Sequence, residues 1–102
     1  MTNDESLRFH PKVESDLRDS IGWYAGISAE LANRFRGMVN SSLDDVTKHP
    51  ASYPIVFDDV RIHRVRTFPY LVQYHVVNDI PYVLGIFHSA SDPDKWRQRA
   101  ST

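Results

Sequence analysis

The sequence predicts an α+β domain: a helical hairpin packed on one face of a mostly antiparallel sheet of about four strands. The expected order is β-α-α-β-β-β, closed by a short C-terminal helical turn. Three observations predict it. Two consecutive segments repeat apolar residues at helical spacing and are separated by only a few residues. The helical pattern stops at Pro50. The remainder alternates with a strand period between short turns rich in Asn and Asp. At 102 residues the chain fits one domain, 1–102, with a modest core. It contains no repeat, low-complexity run or interdomain linker.

Element by element, "SLRFH" is a short strand candidate ended by Pro11. "PKVESDLRDSIGWYAGIS" places Pro11 at a first helical position with acids in the opening turns, both helix-start signals. Val13, Leu17, Ile21 and Tyr24 share one face, and Gly22 invites the close approach of a neighbour. Gly26 reads as the helix stop and Ser28 as the next N-cap. Leu31, Phe35, Met38, Ser42 and Val46, with Val39 and Leu43 alongside, give the second helix its apolar face. That helix ends before Pro50. So short a connection makes the two helices an antiparallel hairpin. The stripes are those of a core; neither has the character of a cofactor box.

After Pro50, "VRIHRVRTF" sets β-branched residues among basic ones, "YLVQYHVV" alternates, and "PYVLGIFH" is nearly all apolar, as befits a strand covered on both faces. "VNDIP" is the turn between the last two. The resulting meander raises a question at "FPY": proline cannot donate to a sheet ladder, yet Pro69 introduces a buried-looking strand. In the tail, "SDPDKWRQR" suggests a helical turn capped by Asp92 with Pro93 at its first position.

Cysteine is absent, which excludes a disulfide framework and thiolate chemistry. The N-terminus lacks a basic region followed by an apolar run, so a leader peptide is not expected, and no apolar run approaches membrane-spanning length. Net charge is −1, unevenly shared: 6 Lys/Arg against 10 Asp/Glu up to residue 59, and 6 against 3 from residue 60. An anion-facing side follows if the strand half gathers its cations; scatter over solvated faces is the plain alternative.

Several stretches carry a family resemblance. They are "FHPKVESDL" at the first strand-to-helix junction, "WYAGIS", "LANRF", "VRIHRVRTFPYLVQYHV" and the closing "FHSASDPDKWRQR". In this order and spacing the chain resembles the RelE/ParE superfamily of type II toxin–antitoxin toxins, also called plasmid stabilisation proteins. Its Phe-Pro-Tyr entry and closing Asp-Pro-x-x-Trp are closer to the ParE branch. The resemblance implies a cytoplasmic bacterial toxin that inhibits growth and is neutralised by a cognate antitoxin, with no cofactor, metal, membrane or small-molecule substrate. It implies either an inhibitor that binds a protein target, as ParE relatives bind DNA gyrase, or a ribosome-dependent mRNA endonuclease. An inactive relative retained as a binding module is a further alternative. In such folds Phe-Pro-Tyr enters the middle strand of the meander, where a missing N–H breaks no ladder. Phe68 and Tyr70 then anchor the turn against the helices.

Candidate residues follow. Arg61, Arg64 and Arg66 form a basic strand edge beside aromatics, suited to phosphate or an acidic protein surface. Alternation separates Arg61 from the other two, while Arg64 and Arg66 would share a face with Val60 and Ile62. With Trp96 and Arg97 these are the candidate target-binding residues, and Trp23 is the candidate antitoxin anchor. Pairing of the arginines with the acids of residues 44–59 is the plain alternative. Metal-free RNA cleavage needs a base, an acid and a cation, and His88, His75 and Arg64 are the candidates only if the chain is a nuclease. His63 is the third histidine of the strand half; His10 and His49 precede prolines and read as helix-boundary residues. Two positions depart from the family pattern. The nuclease branch keeps a cation just after the tyrosine that opens the middle strand, where this chain has Leu71. Many ParE-like members have Arg before the closing Asp-Pro, where this chain has Ser91.

Overall fold

A computed structural model describes residues 6–101. The expected order of elements holds, with one strand added. The elements are β1 (Arg8–Phe9), α1 (Val13–Ala25), α2 (Ala29–Lys48), β2 (Ile55–Phe57), β3 (Val60–Arg64), β4 (Tyr70–Val77), β5 (Ile80–His88) and α3 (Pro93–Ser101). They build a five-stranded sheet in the order β1-β5-β4-β3-β2, antiparallel except where β1 runs parallel to β5. The extra strand, β2, is three residues between Pro54 and the Asp58–Asp59 turn, too short to show a period. The tail is a nine-residue helix where a single turn was expected.

Local signals account for most boundaries. The Ser28 hydroxyl accepts the Leu31 N–H at 3.0 Å, capping α2. Gly26 closes α1 in right-handed geometry, at φ −64°, so its conformational freedom is not used. Pro11 lies in the turn before α1, and the helix begins at Val13. The cause is local: the His10 carbonyl accepts the Val13 N–H at 3.0 Å, and the His10 ring accepts the Lys12 N–H at 3.1 Å. Asn78 and Asp79 both take positive φ, 52° and 66°, the two-residue hairpin geometry that joins β4 to β5 without splaying them. Gly22 is exposed, and a Cβ there would meet nothing within 4 Å, so no neighbour approaches as its size had suggested.

The main core lies between the hairpin and one face of the sheet. Val13 of α1 and Phe35, Val39 and Val46 of α2 meet Val72, Tyr74, Val83 and Ile86. The buried line on α2 runs Ala32, Phe35, Val39, Ser42, Val46, with Leu31 and Met38 only half-buried at its flanks. Burial pushes the Tyr74 phenol up to about 12. It stays neutral and donates to the Pro50 carbonyl at 2.6 Å, fixing the exit of α2. On the opposite face α3 covers Gln73, whose Nε2 donates to the Trp96 carbonyl at 2.8 Å. Gly85, directly across from Gln73, leaves room for the Phe87 ring; a Cβ at Gly85 would sit 2.4 Å from it.

β1 is two residues long, so it covers little of the β5 edge. Tyr74 pairs with Val83 and Gln73 with Gly85, which makes Leu84 an extra residue, a β-bulge. At the bulge the Leu84 carbonyl accepts from Arg99 Nη1 at 3.0 Å, and just beyond it the Ile86 N–H donates to Asp16 Oδ2 at 3.1 Å. Asp16 and Arg99 also bind each other in a two-pronged pair at 2.8 and 3.0 Å, each side chain only 12 % exposed. Side chains thus finish the edge that β1 leaves open.

Two outcomes follow. Arg99→Ala leaves the Asp16 carboxylate buried without its cation and should destabilise the chain by about 3–5 kcal/mol. Urea melts of both single variants and the Asp16→Ala/Arg99→Ala double should give a double-variant loss well below the sum; a loss in Arg99→Ala under about 0.5 kcal/mol would contradict the role given to the pair. The second outcome concerns pH. Burial, then the charges of Arg99 and Lys12, hold the His10 imidazole below its ordinary value, in keeping with its acceptor role toward Lys12. A depressed folded pKa means the unfolded chain binds the proton more tightly. The stabilisation is therefore complete above about pH 6.5 and is lost as pH falls through the folded pKa. His10→Gln should flatten that limb of a stability–pH curve.

Candidate functional site

The strained turn between β3 and β4 is the most distinctive local geometry in the chain. Val65 N–H donates to the Tyr70 carbonyl at 2.9 Å and Tyr70 N–H to the Phe68 carbonyl at 2.8 Å. Thr67 is held at φ 75°, an unusual conformation for a β-branched residue. Aromatic packing holds it there. The Phe68 ring lies 5.1 Å from both Tyr24 and Phe35, and Tyr70 lies 5.0 Å from Phe35. Pro69 sits in the turn, where no ladder needs its N–H, and its carbonyl accepts Ser89 N–H at 2.8 Å. The turn overhangs α2 and encloses a cleft of about 810 Å³. Arg64, Arg66 and His63 line one wall, and Met38 and Asp45 of α2 the other.

Arg64 ends β3 and Arg66 is carried by the turn, both exposed and flanking buried Val65. Arg66 therefore lies beyond the strand face on which it was expected with Val60 and Ile62. Arg61 stands apart: it pairs with Tyr74 across the sheet, and its Nη1 donates to the carbonyls of Ala51 at 3.2 Å and Tyr53 at 2.6 Å. His63 packs edge-on to Tyr53 at 4.3 Å and directs Nε2 to Asp45 Oδ2 at 3.3 Å.

The three residues considered for catalysis do not meet. His88 lies at one end of the β4–β5 ladder, opposite Tyr70, while His75 lies opposite Tyr82. Five residues of strand separate the two levels, about 16 Å. His75 faces Asp59 at 3.7 Å. Arg64 pairs with Leu71, at the same end of the sheet as His88 but two strands from it, with β4 between. His88 Nδ1 accepts the Ala90 N–H at 3.0 Å, so the neutral ring carries its proton on Nε2 and presents a donor outward, without a free lone pair for a base. The neighbouring phenol is no substitute, because burial pushes Tyr70 up.

The remaining candidates lie at two other places. Trp23 is 68 % exposed near the end of α1, and Ile27 in the following connection is 63 % exposed. Trp96 is half-buried on α3: its Nε1 donates to Ser91 Oγ at 2.9 Å and its ring stacks on Phe87 at 6.4 Å. Ser91, the residue that departs from the family pattern, thus orients Trp96. Arg97 is exposed, with its guanidinium 5.5 Å from the Phe57 ring and 3.5 Å from Asp94. Phe57 and Val60 are paired at the far end of β3 from Arg64, so Arg97 and the Arg64–Arg66 pair are separate features. Sequence reasoning passed over Asp16, Gln73 and Arg99, whose partners lie 70, 23 and 83 residues away. Among the described residues no group of three His, Cys, Asp or Glu side chains is placed to hold a metal ion, and no helix is long and apolar enough to cross a membrane.

Comparison with known proteins gives a consistent result. The sequence model for "ParE toxin of type II toxin-antitoxin system, parDE" matches residues 7–93. Toxin ParE2 of Mycobacterium tuberculosis, from strains CDC 1551 / Oshkosh and ATCC 25618 / H37Rv, is 28 % identical over 92 residues, covering 86 % of this chain and 85 % of the relative. A chain of the "chromosomal ParDE TA system from P. aeruginosa" superposes with a TM-score of 0.72 at 18 % identity, over 81 % of this chain and 94 % of that one. This last likeness is one of fold.

The His88 geometry has a direct spectroscopic consequence. Long-range proton–nitrogen correlation above the ring's titration range should show His88 as the Nε2–H tautomer, with Nδ1 unprotonated. The opposite tautomer would remove the argument against His88 as a base.

Proposed function

We propose, from the premise that this chain belongs to the ParE toxin family of type II toxin–antitoxin systems, that it inhibits growth in the cytoplasm by binding a protein target, with DNA gyrase the foremost candidate, and that it does not cleave RNA. Membership makes it a toxin with an antitoxin partner; the mode of action and the target are the proposal. One observation carries it. A metal-free nuclease must bring a base, an acid and a cation to one scissile phosphate. Here His75 lies at the other end of the ladder from His88, Arg64 is separated from His88 by the whole of β4, and His88 offers only a donor. Charge points the same way: a net −1 suits a protein surface better than ribosomal RNA. Leu71 is 4 % exposed where the nuclease branch keeps its cation, so the site would lack electrostatic stabilisation worth a few kcal/mol in a transition state.

Under this reading Arg64 and Arg66 contact the target, and exposed Trp23 and Ile27 are anchors for the antitoxin. Trimming the chain from Trp96 is a poor test of target contact, because it also removes Arg99, leaving Asp16 without its cation and Gln73 Nε2 without its acceptor.

Induced expression should separate the alternatives. Arg64→Ala and Arg66→Ala should each reduce growth inhibition with the fold intact by circular dichroism, and DNA supercoiling should change on induction of the native chain. His88→Ala should act only through stability. Primer extension on ribosome-bound mRNA should show no induced cuts; codon-specific cuts that disappear in a folded His88→Ala variant would instead establish the nuclease.

A further inference from the structure

The cleft under the 65–69 turn holds more hydrogen-bonding capacity than the fold uses. Arg64 and Arg66 are exposed on its wall, and among the described residues neither forms an ion pair. Among the described residues, too, the N–H groups of Arg66, Thr67 and Phe68 donate to no protein acceptor. Successive amides around a left-handed residue, here Thr67 at φ 75°, form the concavity in which proteins hold oxyanions. Among the described residues His63 Nδ1, buried at the same wall, also has no protein partner. The two flanking guanidinium groups supply the fork geometry that grips a carboxylate.

The rest of the cleft selects among anions. Asp45 stands on the facing wall, and the chain as a whole is slightly acidic. A polyanionic backbone would bring further charges against Asp45, whereas one carboxylate would not. Met38 and Phe68 offer apolar surface beside the arginines, which suits an apolar neighbour in a peptide. We propose that this cleft is a pocket for one carboxylate-bearing side chain of the antitoxin, seated against the Arg64–Arg66 pair and the amides of the turn. The partner then silences the toxin by occupying the two arginines used on the target. This rests on the antitoxin reading above.

Two measurements test it on the full chain. In the first, acetate and, separately, inorganic phosphate are titrated at constant ionic strength while amide resonances are followed. Acetate should shift the amides of Arg66, Thr67 and Phe68 saturably, and the shift should vanish in Arg64→Ala/Arg66→Ala. No saturable shift with acetate, a response to phosphate alone, or the same response in the double variant would each overturn the pocket. In the second, a candidate antitoxin, sought as the product of a reading frame adjoining this one, is titrated into the chain by calorimetry. The double variant should bind at least tenfold more weakly, with a reduced dependence on salt. Equal binding by native chain and double variant would overturn the pocket while leaving the antitoxin reading intact. If the native chain binds no antitoxin at all, that reading fails, and the acetate titration alone decides whether the oxyanion pocket exists.

Discussion

The buried pair of Asp16 and Arg99 is the constraint on which the rest of this fold depends. A five-stranded sheet whose edge strand is two residues long leaves most of that edge without backbone partners. Unpaired backbone groups at a half-buried edge are costly and also invite pairing with another chain. The bulge at Leu84 presents the Leu84 carbonyl and the Ile86 N–H to the gap, and the pair meets both. One interaction therefore joins α1, β5 and α3. The same closure fixes α3 across the outer face, where its main chain receives Gln73 and its Arg97 reaches Phe57 on the opposite edge strand. A tail that looks detachable in the sequence is a structural layer.

The proposed target-binding surface depends on a second constraint, the aromatic cluster of Tyr24, Phe35, Phe68 and Tyr70. Phe68 and Tyr70 are inserted between the helices and the sheet, and Pro69 lies between them outside any ladder. With both neighbours of Pro69 anchored, the 65–69 turn has little freedom, and Thr67 is held in its left-handed conformation. This explains "FPY" in physical terms. It is a rigid support for the turn that carries Arg66 and, just before it, Arg64.

The departures from the family pattern also acquire a physical meaning. Leu71 is buried at the start of β4, paired with Phe87 on one side and Arg64 on the other. A cation at that position would have to leave water or displace the packing around it. Ser91, where an arginine is common, uses its hydroxyl to receive the Trp96 indole N–H and the backbone of His88 to hold itself. Both positions serve the packing of α3 and the sheet, in keeping with the binding action proposed above.

How much was legible in the sequence differs by the range of the interaction. Ser28 as an N-cap, the Asn78–Asp79 hairpin, the stops at Gly26 and Pro50, and the stripes of Val13–Tyr24 and Phe35–Val46 are decided within a few residues, and local chemistry determines them. The basic residues around Val65 could be singled out as a cluster, because neighbours on a strand and turn remain neighbours in space. Other features had no such signature. β2 is shorter than any period that could reveal it, and α3 exceeds a single turn because the sheet beneath it supplies partners. Arg66 leaves the strand face it was expected to share with Val60 and Ile62 because β3 ends at Arg64. Asp16 and Arg99, 83 residues apart, look like ordinary surface charges until β1 stops short and the bulge at Leu84 turns two backbone groups toward them. Hydrogen-bonding demand at that edge exists only once the sheet has formed, so only the tertiary structure could decide which charged side chains would meet it.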